Sequence, residues 1–187
     1  INLFAERMSR MFGMLKDLLH ETNENDFNKL FSRIEKYENI SDNMELEIAN
    51  YLNKVSEGRL SSESKLEIRG MLREVTEIES IGDSCYNLAR TINRKRSGGN
   101  DFTEKQYEHI HQMMQLTSDA LAHMIAVVED EHHVVDVNKS FNIENEINNY
   151  RAQLKNQNVV DVNNKEYDYQ MGVHYMDIIG ECEKLGD

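Results

Sequence analysis

Proline and tryptophan are both absent from the 187 residues. At average usage a chain of this length would contain roughly nine prolines. Because proline breaks helix interiors and favours loops, its absence predicts long helices joined by short turns. Ten methionines favour the same all-α interpretation, since methionine packs well in irregular helical cores.

Cysteine is scarce, and long apolar runs are missing. Cys85 and Cys182 are too few for a disulfide scaffold, so we expect two small buried apolar groups in a reducing compartment. No run of about eighteen apolar residues occurs, which predicts no membrane span in this chain, and no signal peptide is recognisable. The chain begins at Ile1 and stops at Asp187 inside a helical pattern, so we expect a domain excised from a larger protein.

Negative charge is in excess, with a formal net charge of -13. Such a charge disfavours nucleic acid and anionic membrane surfaces as partners. It suits a protein that binds cations.

Hydrophobic periodicity predicts six helices in two groups of three. In the first half the expected helices span about 3–19, about 26–55, and a stretch from a cap at Ser61 or Ser62 to beyond Ile92. In the second half one helix starts after a cap at Thr103, one includes 137–154, and one starts near Asn163. The Gly-Gly segment 97–100 separates the groups. We therefore predict two tandem three-helix repeats, residues 1–96 and a C-terminally truncated 101–187, packed as one elongated six-helix bundle.

An acidic motif recurs at matching places in the two halves. The segment Glu79-Ser-Ile-Gly-Asp83 returns as Glu183-Lys-Leu-Gly-Asp187. Residues i and i+4 lie on one helical face, so each copy presents two adjacent side-chain oxygens. The repetition indicates an internal duplication in which each unit carries a carboxylate pair.

A second acidic pair lies on the preceding helix of each half. Glu38 and Asp42 correspond to Glu144 and Asn148, where asparagine replaces one carboxylate. Antiparallel helices would bring each of these pairs toward the Glu-x-x-Gly-Asp pair of the same half. Grouped carboxylates repel one another, and a Mg²⁺, Ca²⁺, Mn²⁺ or iron ion would relieve that repulsion.

The metal hypothesis has an alternative. Gly82 and Gly186 each cost about 1 kcal/mol in a helix interior relative to alanine. Keeping glycine at both places indicates the close approach of a backbone or an ion, but it also suits a solvated acidic face with tight helix crossing. The residue pattern leaves both possibilities open.

The histidines offer a different metal chemistry. Glu108-x-x-His111 and Glu129-x-x-His132 match the spacing found in di-iron carboxylate bundles. That chemistry needs the motif on two facing helices, whereas both copies here fall on one helical segment. With no nucleophile motif and no phosphate-binding glycine loop, we predict that the chain is not an enzyme.

The order of these motifs resembles the PhoU-like family of phosphate-uptake regulators. The resemblance rests on two three-helix repeats with Glu-x-x-x-Asp on the second helix and Glu-x-x-Gly-Asp on the third. Three copies of these motifs are complete, and the copy from Glu144 to Asn148 is partial. It implies a regulatory helical bundle that binds clusters of metal ions. The implied ligands are Glu38, Asp42, Glu79 and Asp83 in the first half and Glu144, Asn148, Glu183 and Asp187 in the second. Iron, zinc, manganese and magnesium are the candidate ions, with the second site weaker or empty because Asn148 is neutral.

Within that family, Glu144-x-x-x-Asn148 followed by Arg151 and Leu154 is more similar to the C-terminal cytosolic domain of bacterial sodium/phosphate cotransporters. This similarity implies an attached transmembrane transporter domain as the partner, with a homodimer also to be considered. It places the domain at the cytoplasmic face of the membrane. A free-standing regulator is the alternative within the family.

Overall fold

Six α-helices make up most of the chain in a computed structural model that describes residues 1–129 and 137–186. Those residues contain no strand, and the all-α prediction is confirmed. The helices are α1 Asn2–His20, α2 Glu24–Ser56, α3 Ser62–Ser97, α4 Glu104–Glu129, α5 Val137–Asn163 and α6 Tyr169–Gly186.

Side-chain caps explain where three of the helices begin. The side chains of Asn23 and Ser61 accept hydrogen bonds from the backbone at the starts of α2 and α3. At α4, Thr103 and Gln106 bond reciprocally, each side-chain oxygen accepting from the other residue's N–H, which is a capping box. The predicted caps at Ser61 and Thr103 are therefore present.

The predicted start of the sixth helix, near Asn163, is wrong. The fifth helix runs on to Asn163, and α6 begins at Tyr169. Lys165 between them has a φ of 59°, a left-handed conformation that no helix can continue through. Asp168 then accepts a hydrogen bond from the Met171 N–H at 2.8 Å and caps α6.

Helix α1 buries one face in the bundle. Its predicted stripe is fully buried and consists of Phe4, Met8, Met11, Leu15 and Leu18. It packs against α2, α3 and α4. Both cysteines are free and buried in the same core, on α3 and α6, as the sequence indicated.

The helix contacts repeat between the two halves. Within the first half α1, α2 and α3 all contact one another, and α4, α5 and α6 do the same within the second. The halves meet through two further pairs, α1 with α4 and α3 with α6. Each of these pairs joins helices at equivalent places in the two halves. Within the described residues, no helix has the length and apolar character needed to cross a membrane.

Candidate metal centre

Four carboxylates from α2 and α3 converge on one point. Glu38 and Asp42 come from α2, and Glu79 and Asp83 come from α3. One oxygen of each lies within 4.8 Å of the others. The two glutamates are buried, at 7% and 8% exposure, whereas the two aspartates are exposed. We call these four residues the acidic cluster.

The hairpin formed by α2 and α3 explains the convergence. The two helices pack together, and the turn around Gly58 joins them. Because both acidic pairs lie at a similar distance from this turn along their helices, antiparallel packing places them side by side. The i,i+4 spacing then stacks the two side chains of each pair on the facing surface.

The electrostatics of the acidic cluster favour protonation when no cation is present. Burial raises the pKa of Glu38 to about 8, with hydrogen bonding to Asp83 and the charges of Asp42 and Asp83 contributing. Burial also raises the pKa of Glu79 to about 9, together with hydrogen bonding to Asp42 and Asp83 and their charges. A bound proton and a bound cation therefore compete for the same oxygens.

The buried oxygens of the acidic cluster suit a cation, and the neighbouring Gly82 makes room for one of the carboxylates. Glu38 Oε2 and Glu79 Oε1 are buried and have no hydrogen-bond partner, although carboxylate oxygens taken out of water need one. A Cβ atom on Gly82 would lie 3.1 Å from Glu38 Oε2 and 3.2 Å from Met8 Sδ. The missing side chain at Gly82 thus leaves room for the Glu38 carboxylate, which is a side chain rather than the backbone or ion that the sequence indicated.

Glu45 belongs beside the acidic cluster, and the sequence analysis missed it. Its carboxyl is half-buried, and its pKa is raised by burial and by the charges of Asp42 and Asp83. The signal that could have found it is its place on α2, three residues after Asp42 and therefore on the same helical face. It adds a fifth acidic group within electrostatic range of the site.

The family comparison covers the segment that builds this site. Residues 1–92 match the PhoU domain. The match supports a PhoU-like first half, and it includes α1, α2, most of α3 and all four residues of the acidic cluster. No curated protein matches the chain.

The half that follows the PhoU domain match arranges its counterpart residues differently. Glu183 of α6 pairs with Arg151 of α5, with 3.0 Å between Oε2 and Nε. Asn148 Oδ1 is buried without a hydrogen-bond partner, Glu144 is half-buried, and Asp187 lies outside the described residues. In the part of the chain that the structure describes, only the acidic cluster brings three or more potential metal ligands together.

Two substitutions distinguish the second half from the PhoU domain match. The offset that relates Glu38 to Glu144 also relates Glu45 to Arg151 and Ser41 to Ile147. The negative Glu45 thus corresponds to the positive Arg151. At the second of these positions, Ile147 packs so closely on Gly186 that a Cβ there would lie 2.5 Å from Ile147 Cδ1. An isoleucine side chain thus lies beside Gly186, where the first half has the Glu38 carboxylate beside Gly82.

Within the described residues, the first histidine motif does not form a second carboxylate cluster. Glu108 is exposed, and the Nε2 atom of His111 contacts Nε2 of His20 on α1. His109 pairs through Nδ1 with the Tyr175 hydroxyl at 3.0 Å. The second motif, Glu129 to His132, extends beyond Glu129 into residues outside the described ones.

Proposed function

We propose that this chain is a non-enzymatic regulatory domain in phosphate transport, and that its acidic cluster binds metal ions. The observation that supports the proposal is the position of the cluster. Four convergent carboxylates, two of them buried with unpartnered oxygens, lie within the segment that matches the PhoU domain.

The residues of the acidic cluster have distinct parts in this proposal. Glu38 and Glu79 supply the buried oxygens, and Asp42 and Asp83 supply exposed oxygens that a solvated ion meets first. A bound iron, zinc, manganese or magnesium ion would supply positive charge and link α2 to α3. Gly82 leaves space for Glu38, and Glu45 adds negative charge at the rim. None of these residues is arranged as a nucleophile beside a base, which suits a regulatory role.

The second-half residues form a weaker site in this proposal. Glu144, Asn148, Glu183 and Asp187 offer at most three carboxylates, and Arg151 already neutralises Glu183. The Arg151 guanidinium therefore supplies the positive charge there that a metal ion would supply in the acidic cluster. Regulation would depend mainly on metal binding to the first half.

We further propose that the domain works on an attached sodium/phosphate cotransporter at the cytoplasmic face of the membrane. The sequence similarity around Glu144, Asn148 and Arg151 supports this placement. A homodimer would let two such domains act together. A free-standing PhoU regulator is the other form that the family match allows.

The test has two steps. The gene sequence upstream of Ile1 should encode several apolar spans, whereas a nearby start codon would favour the free-standing regulator. The full-length protein is then reconstituted in liposomes, and sodium-dependent phosphate uptake is compared between the parent and Glu79→Gln/Asp83→Asn. We expect the variant to alter the uptake rate or its response to metal. The control, Glu74→Gln/Glu77→Gln, removes two exposed charges from the same helix. Equal uptake by both variants would contradict the proposal.

A further inference from the structure

Two histidines meet where the halves of the bundle join. His20 is the last residue of α1, and His111 lies in α4. Their Nε2 atoms are in direct contact, and the ring centroids are 4.5 Å apart with an interplanar angle of 62°. Both side chains are exposed, so an ion from solvent can reach them.

The contact suits two arrangements: one neutral ring donates an N–H···N hydrogen bond to the other, or both nitrogens bind one metal ion. Two Nε2 atoms that face each other cannot both carry a proton, and two imidazolium rings would repel. Neutral imidazole is the form that binds Zn²⁺ and other borderline transition metals.

We infer that His20 and His111 form a Zn²⁺-type site that bridges α1 and α4. Small side-chain rotations would admit the ion, since zinc holds each imidazole nitrogen at about 2 Å. Water completes the coordination, and two carboxylates stand one helical turn away, Asp17 on α1 and Glu108 on α4. Tyr107 is not a ligand, because its hydroxyl bonds to Asp101 and Lys95.

This site differs from the acidic cluster in chemistry and in place. The cluster offers oxygen atoms only and links α2 to α3, whereas the histidine pair offers nitrogen and links the two halves of the bundle. Oxygen sites suit hard cations, and imidazole suits zinc, copper and nickel. Zinc bound to the pair would hold the two halves together at the end of α1.

The test uses the whole chain in a Glu79→Gln/Asp83→Asn background, which removes two of the four carboxylates of the acidic cluster. Zinc chloride is titrated by calorimetry, and Cu²⁺ serves as a paramagnetic probe for nitrogen ligands. We expect one zinc ion to bind and Cu²⁺ to show coupling to two imidazole nitrogens. His20→Gln or His111→Gln should remove both signals, and His123→Gln, which changes a histidine paired with Ser140, should not.

Two outcomes would overturn the inference. One is a background protein that binds no zinc, and the other is zinc affinity that stays the same when either histidine is replaced. Circular dichroism of each metal-free variant verifies folding, which we expect to persist because both side chains are exposed. Since the background lacks two carboxylates of the acidic cluster, failure of the proposed regulatory function would leave this result unchanged.

Discussion

Arg151 Nε lies 3.0 Å from Glu183 Oε2, at the place in the second half where the first half has only carboxylates. The residue that corresponds to Arg151 is Glu45, so a single position has opposite charge in the two copies. In the second half, the Arg151 side chain supplies a positive charge that the first half would have to take from a bound metal ion. This difference gives the two regions opposite charge at one position, so we expect them to differ in their affinity for a metal ion.

The double substitution Asn148→Asp/Arg151→Glu should restore a cation site in the second half. It removes the guanidinium that pairs with Glu183, and it supplies carboxylates at the positions that correspond to Asp42 and Glu45. We expect at least one additional Mn²⁺ to bind, measured by calorimetric titration. Asn148→Asp alone, which leaves the Arg151 pair intact, is the control. An unchanged number of bound ions would refute the idea that Arg151 replaces a cation.

Metal binding to the acidic cluster should stabilise the fold. An ion at a hundredfold excess over its dissociation constant adds about 2.7 kcal/mol to the free energy of unfolding. Glu79→Gln/Asp83→Asn should lose most of this gain and should melt at a higher temperature than the parent without metal, because the carboxylate repulsion is gone. Thermal melts with chelator and with added Mn²⁺, Fe²⁺, Zn²⁺ or Mg²⁺ provide the measurement. Melting temperatures that do not change with any of these ions would exclude metal binding.

The stability of the metal-free protein should fall as pH rises. Glu38 and Glu79 have pKa values of about 8 and about 9 in the folded state, against 4.5 for an ordinary glutamate. Since the folded state holds its protons more tightly, stability is highest below pH 4.5 as far as these groups are concerned, and it declines until about pH 9. Chemical denaturation across this range measures the slope. Glu38→Gln/Glu79→Gln should flatten it, and a slope that the substitutions leave intact would assign the effect to other groups.

Saturating metal should weaken or reverse that pH dependence. A cation displaces the protons of Glu38 and Glu79, so its affinity rises as pH rises. Calorimetry in buffers of different ionisation enthalpy counts the protons released when the ion binds. We expect net release near neutral pH, and binding without any release would show that the two glutamates are already ionised.

Two glycines of α3 should respond differently to alanine. Gly70 is exposed with no atom near its missing Cβ, so Gly70→Ala should stabilise the helix by about 0.5–1 kcal/mol. Gly82→Ala gains the same helix propensity but presses on Glu38 Oε2 and Met8 Sδ. We expect a smaller gain in stability and a weaker affinity for metal. Equal effects of the two substitutions on stability and metal binding would show that the space beside Gly82 is not needed.

Much of the fold follows from local patterns in the sequence. The stripe of α1 and the caps at Ser61 and Thr103 each depend on residues a few positions apart. The absence of proline is visible in the composition alone. The predicted start of α6 was wrong because the polar run from Asn163 to Glu166 does not show where one helix ends and the next begins, and the break depends on the backbone of Lys165. A left-handed residue that is neither glycine nor asparagine leaves little trace in the sequence.

The candidate site could be predicted only where its residues repeat. The acidic pairs of α2 and α3 were found because each recurs in the second half at matching spacing. Glu45 was missed because its counterpart is Arg151, so a comparison of the two halves shows no repeated acidic residue at this position. The contact between His20 and His111 joins residues 91 positions apart on helices from different halves, and no local pattern indicates such a pair.

The contacts between the halves also bear on how a chain of this kind can arise. Helix α1 meets its equivalent α4, and α3 meets its equivalent α6. An interface in which each element contacts its own counterpart is what two identical subunits form about a two-fold axis. A gene for one three-helix chain that dimerised in this way needs only duplication and fusion to give this topology. In a chain that arose in this way each copy can change independently, which would account for Glu45 and Arg151 at corresponding positions.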